Sequence, residues 1–305
     1  MTTATQVDAA GGVFTPDEAT GGRWKEAFRR LRRNPLAIIG AVLVLLFLLI
    51  AIFAPLLAPQ DPNAQLRIGE IRPGFVPGPS PGFPLGVDAL GRDELSRLLY
   101  GSRQSLLVGV VSTLLGLVLG LLLGGFAGAF GGRVDNVLMR VTDLMLSIPG
   151  LLTAITISVI LGQSLTSVMI AIAIVNVPIF ARLLRGSMLA QRESDYVLAA
   201  RSIGLPRRKI VLSHIVPNSL GPVIVQATLT LATSIIDAAA LSFLGLGNPD
   251  DTRPEWGQML SDAQELLSTR AALAFYPCIA IVLAALGFTL LGESLREALD
   301  PKNRR

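Results

Sequence analysis

Five long stretches without Asp, Glu, Lys or Arg constrain the fold of this 305-residue chain more than any other feature. They cover residues 34–60, 104–132, 144–181, 210–236 and 271–292. A helix that crosses the hydrocarbon core of a bilayer needs about 20 apolar residues. The third stretch is long enough for two such helices with a break near Gly162, and the fourth continues through Asp237 to Gly247. The sequence therefore predicts six membrane helices.

The lipid environment dictates the secondary structure of these stretches. No water reaches the backbone N–H and C=O groups in the bilayer core, so each spanning segment must be a helix or part of a closed barrel. Barrel strands alternate in polarity over about ten residues, whereas residues 37–54 are continuously apolar. Only 16% of the residues are charged, against about 25% in soluble domains. We predict an all-α membrane protein.

The Lys and Arg residues concentrate at alternate ends of the predicted helices. Six of them lie within residues 23–33, just before the first helix, and cytoplasmic segments of membrane proteins carry an excess of such cations. If the segment before the first helix is cytoplasmic and the six helices alternate in direction, 19 of the 26 Lys and Arg residues lie on the cytoplasmic side. We therefore predict that both termini are cytoplasmic. The net charge of +4 sits at helix ends and does not indicate nucleic-acid binding.

The alternation of uncharged stretches and charged segments predicts how the chain is divided into regions. These are a disordered cytoplasmic leader (1–22), a basic segment with the first transmembrane helix (23–60), an extracytoplasmic loop (61–103), a core with five transmembrane helices and a cytoplasmic elbow at 186–218 (104–292), and a cytoplasmic tail (293–305). Within the loop, Leu95, Leu98 and Leu99 share one helical face, which predicts a short interfacial helix. This helix could cover the surface or form part of an external docking face.

The second predicted helix repeats glycine at every fourth position, at residues 116, 120, 124 and 128. Small residues at this spacing let two helix backbones approach closely in lipid. We expect a packing face, either against a helix of this chain or against a partner.

No motif for catalysis or cofactor binding is present. The sequence contains no phosphate-binding GxxxxGK[ST] loop, no HExxH and no GxSxG, and His214 is its only histidine. We therefore predict a non-enzymatic chain that carries no cofactor and no metal of its own.

Two polar residues within apolar stretches are candidates for a transport pathway. Asp237 lies deep in a predicted span, where a charge costs about 2.5–3.5 kcal/mol. It could line a pathway, or it could form a hydrogen bond between helices. Asn176 precedes Pro178 at a predicted kink and is the second candidate.

The elbow is too polar to lie in lipid but still has helical periodicity. The positions i, i+3, i+4 and i+7 form one apolar stripe, and they are occupied by Tyr196, Ala199, Ala200 and Ile203. Gly204 is expected to end this helix, and Pro206 to begin a second one at its first position. The second helix would meet the fifth span at Pro217.

Two interpretations of the elbow remain open on these grounds. It could lie on the inner leaflet, with Arg207, Arg208 and Lys209 on lipid phosphates. Alternatively, its apolar stripe could enter a groove on a soluble partner.

The elbow and several other segments resemble one protein family. Ala199-Ala200…Gly204, followed by Ile215-Val216-Pro217, resembles the EAA loop of permease subunits of bacterial ATP-binding-cassette importers, although Leu198 stands at the family's glutamate position. Further segments resemble the second, C-type permease of dipeptide, oligopeptide and nickel importers. They are PLGVDALGRDELSRLLYGSR (84–103), DYVLAARSIG (195–204), HIVPN (214–218), LSFLGLG (241–247), EWGQML (255–260) and LGESLREALDP (291–301).

This resemblance implies a type I importer permease-like bundle in the bacterial inner membrane. It implies a second homologous permease subunit, two ATP-binding ATPase subunits and an extracytoplasmic substrate-binding protein, besides membrane lipid. Coupling to the ATPases is expected to involve Tyr196, Ala199, Ala200, Ile203, Gly204 and Pro206. The cargo would be a dipeptide or oligopeptide, with nickel or another small solute as the alternative. An ion-coupled secondary carrier and a non-transporting membrane scaffold are the rival classes.

Overall fold

The computed structural model describes residues 28–299, which form a helical bundle. Its helices are α1 (Pro35–Leu57), α2 (Glu94–Phe130), α3 (Gly132–Ser147), α4 (Gly150–Leu161), α5 (Leu165–Arg192), α6 (Asp195–Ser202), α7 (Arg207–Ile210), α8 (Val216–Phe243), α9 (Trp256–Asp262), α10 (Leu267–Arg270) and α11 (Ala272–Leu299). A turn of π-helix, Val211–Ile215, joins α7 to α8 without a break. The predicted leader at 1–22 lies outside the described residues.

Five helical segments of the described chain are long and apolar enough to cross a membrane. They are α1, α2, α5, α11 and the continuous segment from Arg207 to Phe243. The consecutive helices α3 and α4 meet at 92° and together qualify as a broken sixth span. The all-α prediction is confirmed, and six spans result when this bent pair counts as one. The predicted break at Gly162 separates α4 from α5, with Gly162 at φ 85°.

The glycine repeat of α2 packs against α5 of this same chain. A Cβ atom on Gly116 would lie 2.8 Å from the carbonyl oxygen of Ala173, and one on Gly120 would lie 2.5 Å from Cβ of Phe180. The prediction of close packing is therefore confirmed, and the helix it packs against is internal. Lipid supplies no hydrophobic force to press helices together, so the association of α2 and α5 depends on van der Waals contact. The close approach at the glycines increases that contact.

Hydroxyl and amide groups connect the central helices. Ser234 on α8 accepts a 3.1 Å hydrogen bond from Thr113 on α2 and a 3.0 Å hydrogen bond from the amide of Asn176 on α5. All three side chains are buried. This polar link holds the three helices in register where water is absent.

Helix α1 lies at the edge of the bundle. Gly40 packs closely on Gly287 of α11, where an added Cβ would lie 2.9 Å from the carbonyl oxygen. Most of its large side chains, such as Leu56 at 81% exposure, point away from the protein. An apolar surface of this kind is the surface that lipid covers.

The prediction of a separate short helix within residues 91–103 is wrong, because the helix there is continuous with the following span. Residues 94–103 form the first turns of α2, which follows its N-cap, Asp93, and runs without interruption for 37 residues. No proline or helix-ending glycine separates the two parts. Gly101 instead lets Trp256 pack against the helix, at 2.9 Å from an added Cβ. This part of α2 is therefore covered by the start of α9.

Candidate functional site

Gly204 ends the elbow helix α6 with two characteristic hydrogen bonds. The Leu205 N–H donates to the carbonyl of Ala200 at 3.1 Å, and the Gly204 N–H donates to that of Arg201 at 2.9 Å. Gly204 has φ 76°, in the left-handed region that this type of cap requires. The structure thus confirms that Gly204 terminates the helix.

Pro206 occupies a different position from the one predicted. It is the N-cap of α7, with φ −65° and ψ 141°, not the first helical residue. Its carbonyl accepts the first helical hydrogen bond, from the N–H of Ile210 at 3.1 Å. The proline ring fixes φ but leaves ψ free, so the sequence could not distinguish the two positions.

The predicted apolar stripe of α6 divides between two faces. Val197 is 0% exposed and Ala200 is 6% exposed, and both pack in a core with Met188 and Ile215. Sequence reasoning missed Val197, although it lies one helical turn before Ala200. Because the inward face carries these two residues, Ala200 anchors the helix to its own bundle.

Besides Leu198, at 45% exposure, α6 and its C-cap carry a row of exposed apolar residues that ends at Ile203. Tyr196 is 40% exposed and Ile203 is 77% exposed, and Ala199 between them is also exposed. The spacing i, i+3, i+7 places the three on one side of the helix. The elbow therefore presents a short apolar ridge, formed by Tyr196, Ala199 and Ile203, on a helix whose neighbouring face, with Val197 and Ala200, is buried.

Two arginines brace the elbow against the end of α2. Arg207 donates to the carbonyl of Ala129 at 2.7 Å and to that of Phe130 at 3.0 Å. Arg192 donates to the carbonyls of Gly128 and Ala129. The last carbonyls of a helix have no partners within it and carry partial negative charge. The two guanidinium groups satisfy them and fix the elbow to the bundle.

Ion pairs fix α3 beside this brace. Arg185 of α5 pairs with Asp135 at 2.6 Å, and Arg182 pairs with Asp143 at 2.7 Å. Both arginines belong to the last turns of α5, just before the elbow. The elbow therefore contacts the end of α2 directly and continues from α5, which is itself paired to α3.

The two predicted pathway residues have different surroundings. Asn176 is 4% exposed and bonds to Ser234 inside the bundle. Asp237 is half-buried on α8 and, within residues 28–299, forms no hydrogen bond or ion pair. Gln226, Thr230 and Thr233 precede it at successive helical turns on the same face. The role of both residues in a pathway stays a prediction.

A second polar cluster lies at the opposite end of the bundle and was not foreseen. Asp88 pairs with Arg92 at 2.6 Å and with Arg97 at 3.3 Å. Both arginines also donate to the carbonyl of Asp251 at 3.3 Å. The motif GRDELSR contains these arginines, but only the folded chain brings residue 251 beside them. The cluster fastens the 61–93 segment to the loop before α9.

The start of α9 contains a buried acid. Glu255 accepts hydrogen bonds from the N–H groups of Gly257 at 2.9 Å and Gln258 at 3.2 Å, and from the hydroxyl of Ser105. Burial raises the pKa of the Glu255 carboxyl, and these hydrogen bonds oppose that shift. Among the described residues no group of three or more His, Cys, Asp or Glu side chains could hold a metal ion.

Comparison with known proteins identifies related sequences over most of the chain. Residues 116–305 match the family described as binding-protein-dependent transport system inner membrane component, and residues 22–71 match the N-terminal transmembrane domain of oligopeptide transport permease C. The dipeptide transport system permease protein DppC of Alkalihalophilus pseudofirmus is 45% identical over 284 residues, covering 92% of this chain and 90% of the relative. The glutathione transport system permease protein GsiD of Shigella flexneri is 44% identical over 279 residues, with the same coverage.

A solved structure shares the fold at lower sequence identity. An inward-facing conformation of the MetNI methionine ABC transporter aligns with a TM-score of 0.54 at 19% identity, covering 66% of this chain and 96% of the solved one. A second crystal form of that transporter aligns with a TM-score of 0.55 at 20% identity.

Proposed function

Because the chain belongs to the family of inner membrane components of binding-protein-dependent transport systems, we propose that its elbow receives mechanical work from an ATPase subunit. The chain is a multi-pass permease subunit of an ATP-driven importer. One observation carries the proposal: the ridge of Tyr196, Ala199 and Ile203 is exposed, whereas the other face of the same helix is anchored in the bundle. A groove on an ATPase subunit would cover this ridge.

The free energy needed to switch the pore between two states is compatible with the small area of the ridge. Moving a two-state pore from 1:99 to 99:1 takes about 5.5 kcal/mol of differential binding. At about 25 cal/mol per Å² of apolar surface, burial of about 220 Å² in one state only would supply it. Two elbows, one from each permease subunit, share this requirement.

The proposed assembly contains one further permease subunit and two ATPase subunits. A second homologous permease would complete the pathway, and an extracytoplasmic binding protein would deliver the cargo. In the proposed orientation both termini and the elbow face the cytoplasm, since 19 of 26 Lys and Arg residues then lie inside. The absence of a phosphate-binding loop from the sequence supports a non-catalytic chain that depends on its partners for ATP hydrolysis.

The proposed cargo is a dipeptide or another short peptide. The DppC relative is named for dipeptides and the GsiD relative for glutathione, itself a short peptide. Nickel or another small solute is the alternative within the family. Asp237 and Asn176 are proposed to contribute to the pathway, Asp237 through its position on the polar face of α8, where no side chain of residues 28–299 pairs with it.

A matched pair of substitutions on α6 tests the coupling proposal. Ala199→Glu places a charge in the exposed ridge, and Ser202→Glu places the same charge on an exposed position outside it. We expect Ala199→Glu to abolish ATPase association and peptide uptake, measured by copurification and by uptake in reconstituted vesicles. Ser202→Glu should leave both intact. If Ala199→Glu retained both, the ridge would not be the docking element.

Reconstitution distinguishes the importer from an ion-coupled carrier. The purified chain alone in proteoliposomes should not accumulate peptide under a proton or sodium gradient. Accumulation by the chain alone would contradict a dependence on ATPase subunits.

A further inference from the structure

We propose that the groove between the elbow end of α2 and the segment Arg207–Leu220 binds an anionic phospholipid of the inner leaflet. The groove has a volume of about 600 Å³. Its walls are apolar and come from Leu121, Leu122 and Phe126 on one side and Val211, Leu212 and Leu220 on the other. The inference uses the proposed function only for the orientation that makes this leaflet the inner one.

The mouth of the groove is strongly basic. Arg207 and Arg208 line it at the elbow end. An adjoining cavity of about 330 Å³ shares Arg207 and Val211 with the groove and adds Arg192 and Arg201. Neither Arg201 nor Arg208 forms a hydrogen bond or ion pair within residues 28–299. Two guanidinium groups thus line the groove and two more line the adjoining cavity, and an anionic headgroup would neutralise part of this charge.

The depth of the groove matches one leaflet. Along α2 it extends from Phe130 to Leu121, a distance of about 14 Å at 1.5 Å per residue. Half of a hydrocarbon core of about 30 Å is about 15 Å. A site of these dimensions accommodates acyl chains that start at the basic mouth and end near the bilayer centre.

The side chains of the groove favour lipid over a helix of a second permease subunit. Helix–helix contacts in membranes are enriched in small residues, and the small-residue face of α2 is already occupied by α5. The groove face instead carries bulky side chains that are largely exposed, including Leu122 at 54%, Phe126 at 54% and Leu212 at 69%. Flexible acyl chains can fill such an uneven surface.

Gly125 allows the groove to be blocked without disturbing the bundle. A Cβ on Gly125 would meet only Cδ2 of Leu184, at 3.8 Å, and the residue lines the groove. Gly125→Phe therefore fills the groove from within. Arg208→Gln removes charge from the mouth without loss of a brace, because Arg207, not Arg208, bonds to the end of α2. Arg140→Gln is the control, an exposed cation at the same end that does not line the groove.

The test measures lipid retained by the full-length chain in the assembled importer. The complex is placed in phosphatidylcholine bilayers with and without phosphatidylglycerol, and bound lipid is determined by native mass spectrometry. We expect selective retention of phosphatidylglycerol. Arg208→Gln should weaken it about fivefold, because one cation near the surface contributes about 1 kcal/mol. Gly125→Phe should abolish it, and Arg140→Gln should not change it, with thermal unfolding confirming that each variant is folded.

Two results would overturn the proposal. One is that the wild type, like Gly125→Phe, retains phosphatidylglycerol and phosphatidylcholine equally. The other is a disulfide in the assembled importer between a cysteine introduced at Leu212 and the second permease, which would make the groove a subunit interface. Neither result is read from peptide uptake, and neither involves the ridge of α6, so the lipid proposal and the coupling proposal can fail separately.

Discussion

Gly124 of α2 faces the carbonyl oxygen of Ala181 of α5 so closely that a Cβ on Gly124 would overlap it. Gly125, the next residue, points instead toward the open groove and has space for a side chain. We therefore expect Gly124→Ala to lower the free energy of unfolding by about 1–3 kcal/mol, through overpacking. Gly125→Ala should leave it unchanged or raise it slightly, since alanine favours helix. Thermal unfolding in detergent distinguishes the pair, and equal effects would contradict the packing described for Gly124.

Asp88 is the shared acid of the cluster at the other end of the bundle. Arg92 and Arg97 are both buried against it. Asp88→Ala leaves the buried Arg97 guanidinium without its carboxylate and leaves Arg92 only the longer contact with the Asp251 carboxylate at 3.5 Å; breaking a buried pair typically costs about 3–5 kcal/mol. We expect loss of the folded chain from the membrane fraction or a large fall in its unfolding temperature.

Asp143→Ala provides the matched control for the cluster. Asp143 also pairs with an arginine, Arg182, but both side chains of this pair are about half exposed, at 54% and 55%. An exposed pair of this kind contributes about 0–1 kcal/mol. A loss from Asp143→Ala as large as that from Asp88→Ala would mean that burial is not what makes the cluster important.

The sequence predicted the features that depend on local periodicity. Uncharged stretches marked the spans because lipid excludes unpaired backbone and charge along the whole stretch. Gly204 could be recognised as a helix end because few other residues adopt a positive φ. The break at Gly162 was likewise visible. The 92° bend between α3 and α4 was not, because the apolar stretch continues through Pro149 without a change in polarity.

Features that depend on distant residues could not be predicted in this way. The glycine spacing of α2 marks a packing face but does not specify which helix covers it. The same holds for α6: periodicity placed Ala200 with Tyr196 on one stripe, and only the position of the core shows that Ala200 turns inward with Val197. The contact of Arg92 with Asp251 joins residues 159 positions apart, so it depends on the path of the whole chain.

Asp262, at the end of α9, makes stability depend on pH. Burial raises the pKa of its carboxyl, while a hydrogen bond from Gln258 at 2.8 Å opposes the shift. A carboxyl with a raised pKa in the folded state binds more protons there than in the unfolded state. The free energy of unfolding therefore falls as pH rises from about 4, the unfolded pKa, through the raised value. We expect Asp262→Asn to make this decrease smaller, as measured by unfolding temperature against pH; the remainder includes the contribution of buried Glu255, whose pKa is raised as well.

Asp250 should show the opposite dependence and serves as the control. Hydrogen bonds from the hydroxyl and N–H of Thr252 lower the pKa of its carboxyl. Its contribution is present above the unfolded pKa and is lost as pH falls through the lowered one. Asp250→Asn should therefore flatten the acid side of the profile, and a change of the same sign in both variants would refute the assignment.

Gly204 tests whether the shape of the elbow matters for coupling. Nothing lies within 4 Å of a Cβ at Gly204, and its φ is 76°. Gly204→Ala therefore introduces backbone strain alone, about 1–2 kcal/mol. We expect faster amide hydrogen exchange in α6 and reduced peptide uptake per ATP hydrolysed. Gly186→Ala, at an equally open site with no positive φ, should change neither quantity; similar effects from both would rule out strain as the cause.

Asp237 and Asn176 should respond differently to substitution, because their surroundings differ. Asp237 has no partner among residues 28–299, so Asp237→Asn removes charge from the polar face of α8 without breaking a described contact. If Asp237 lines the pathway, peptide uptake by Asp237→Asn should fall several-fold, while its unfolding temperature and its association with ATPase subunits should stay unchanged. Asn176→Ala deprives buried Ser234 of a donor, which costs about 1–3 kcal/mol. Its main effect should be on unfolding temperature. Unchanged uptake with lowered stability in Asp237→Asn would instead make Asp237 a helix–helix contact, satisfied only when the second permease is bound.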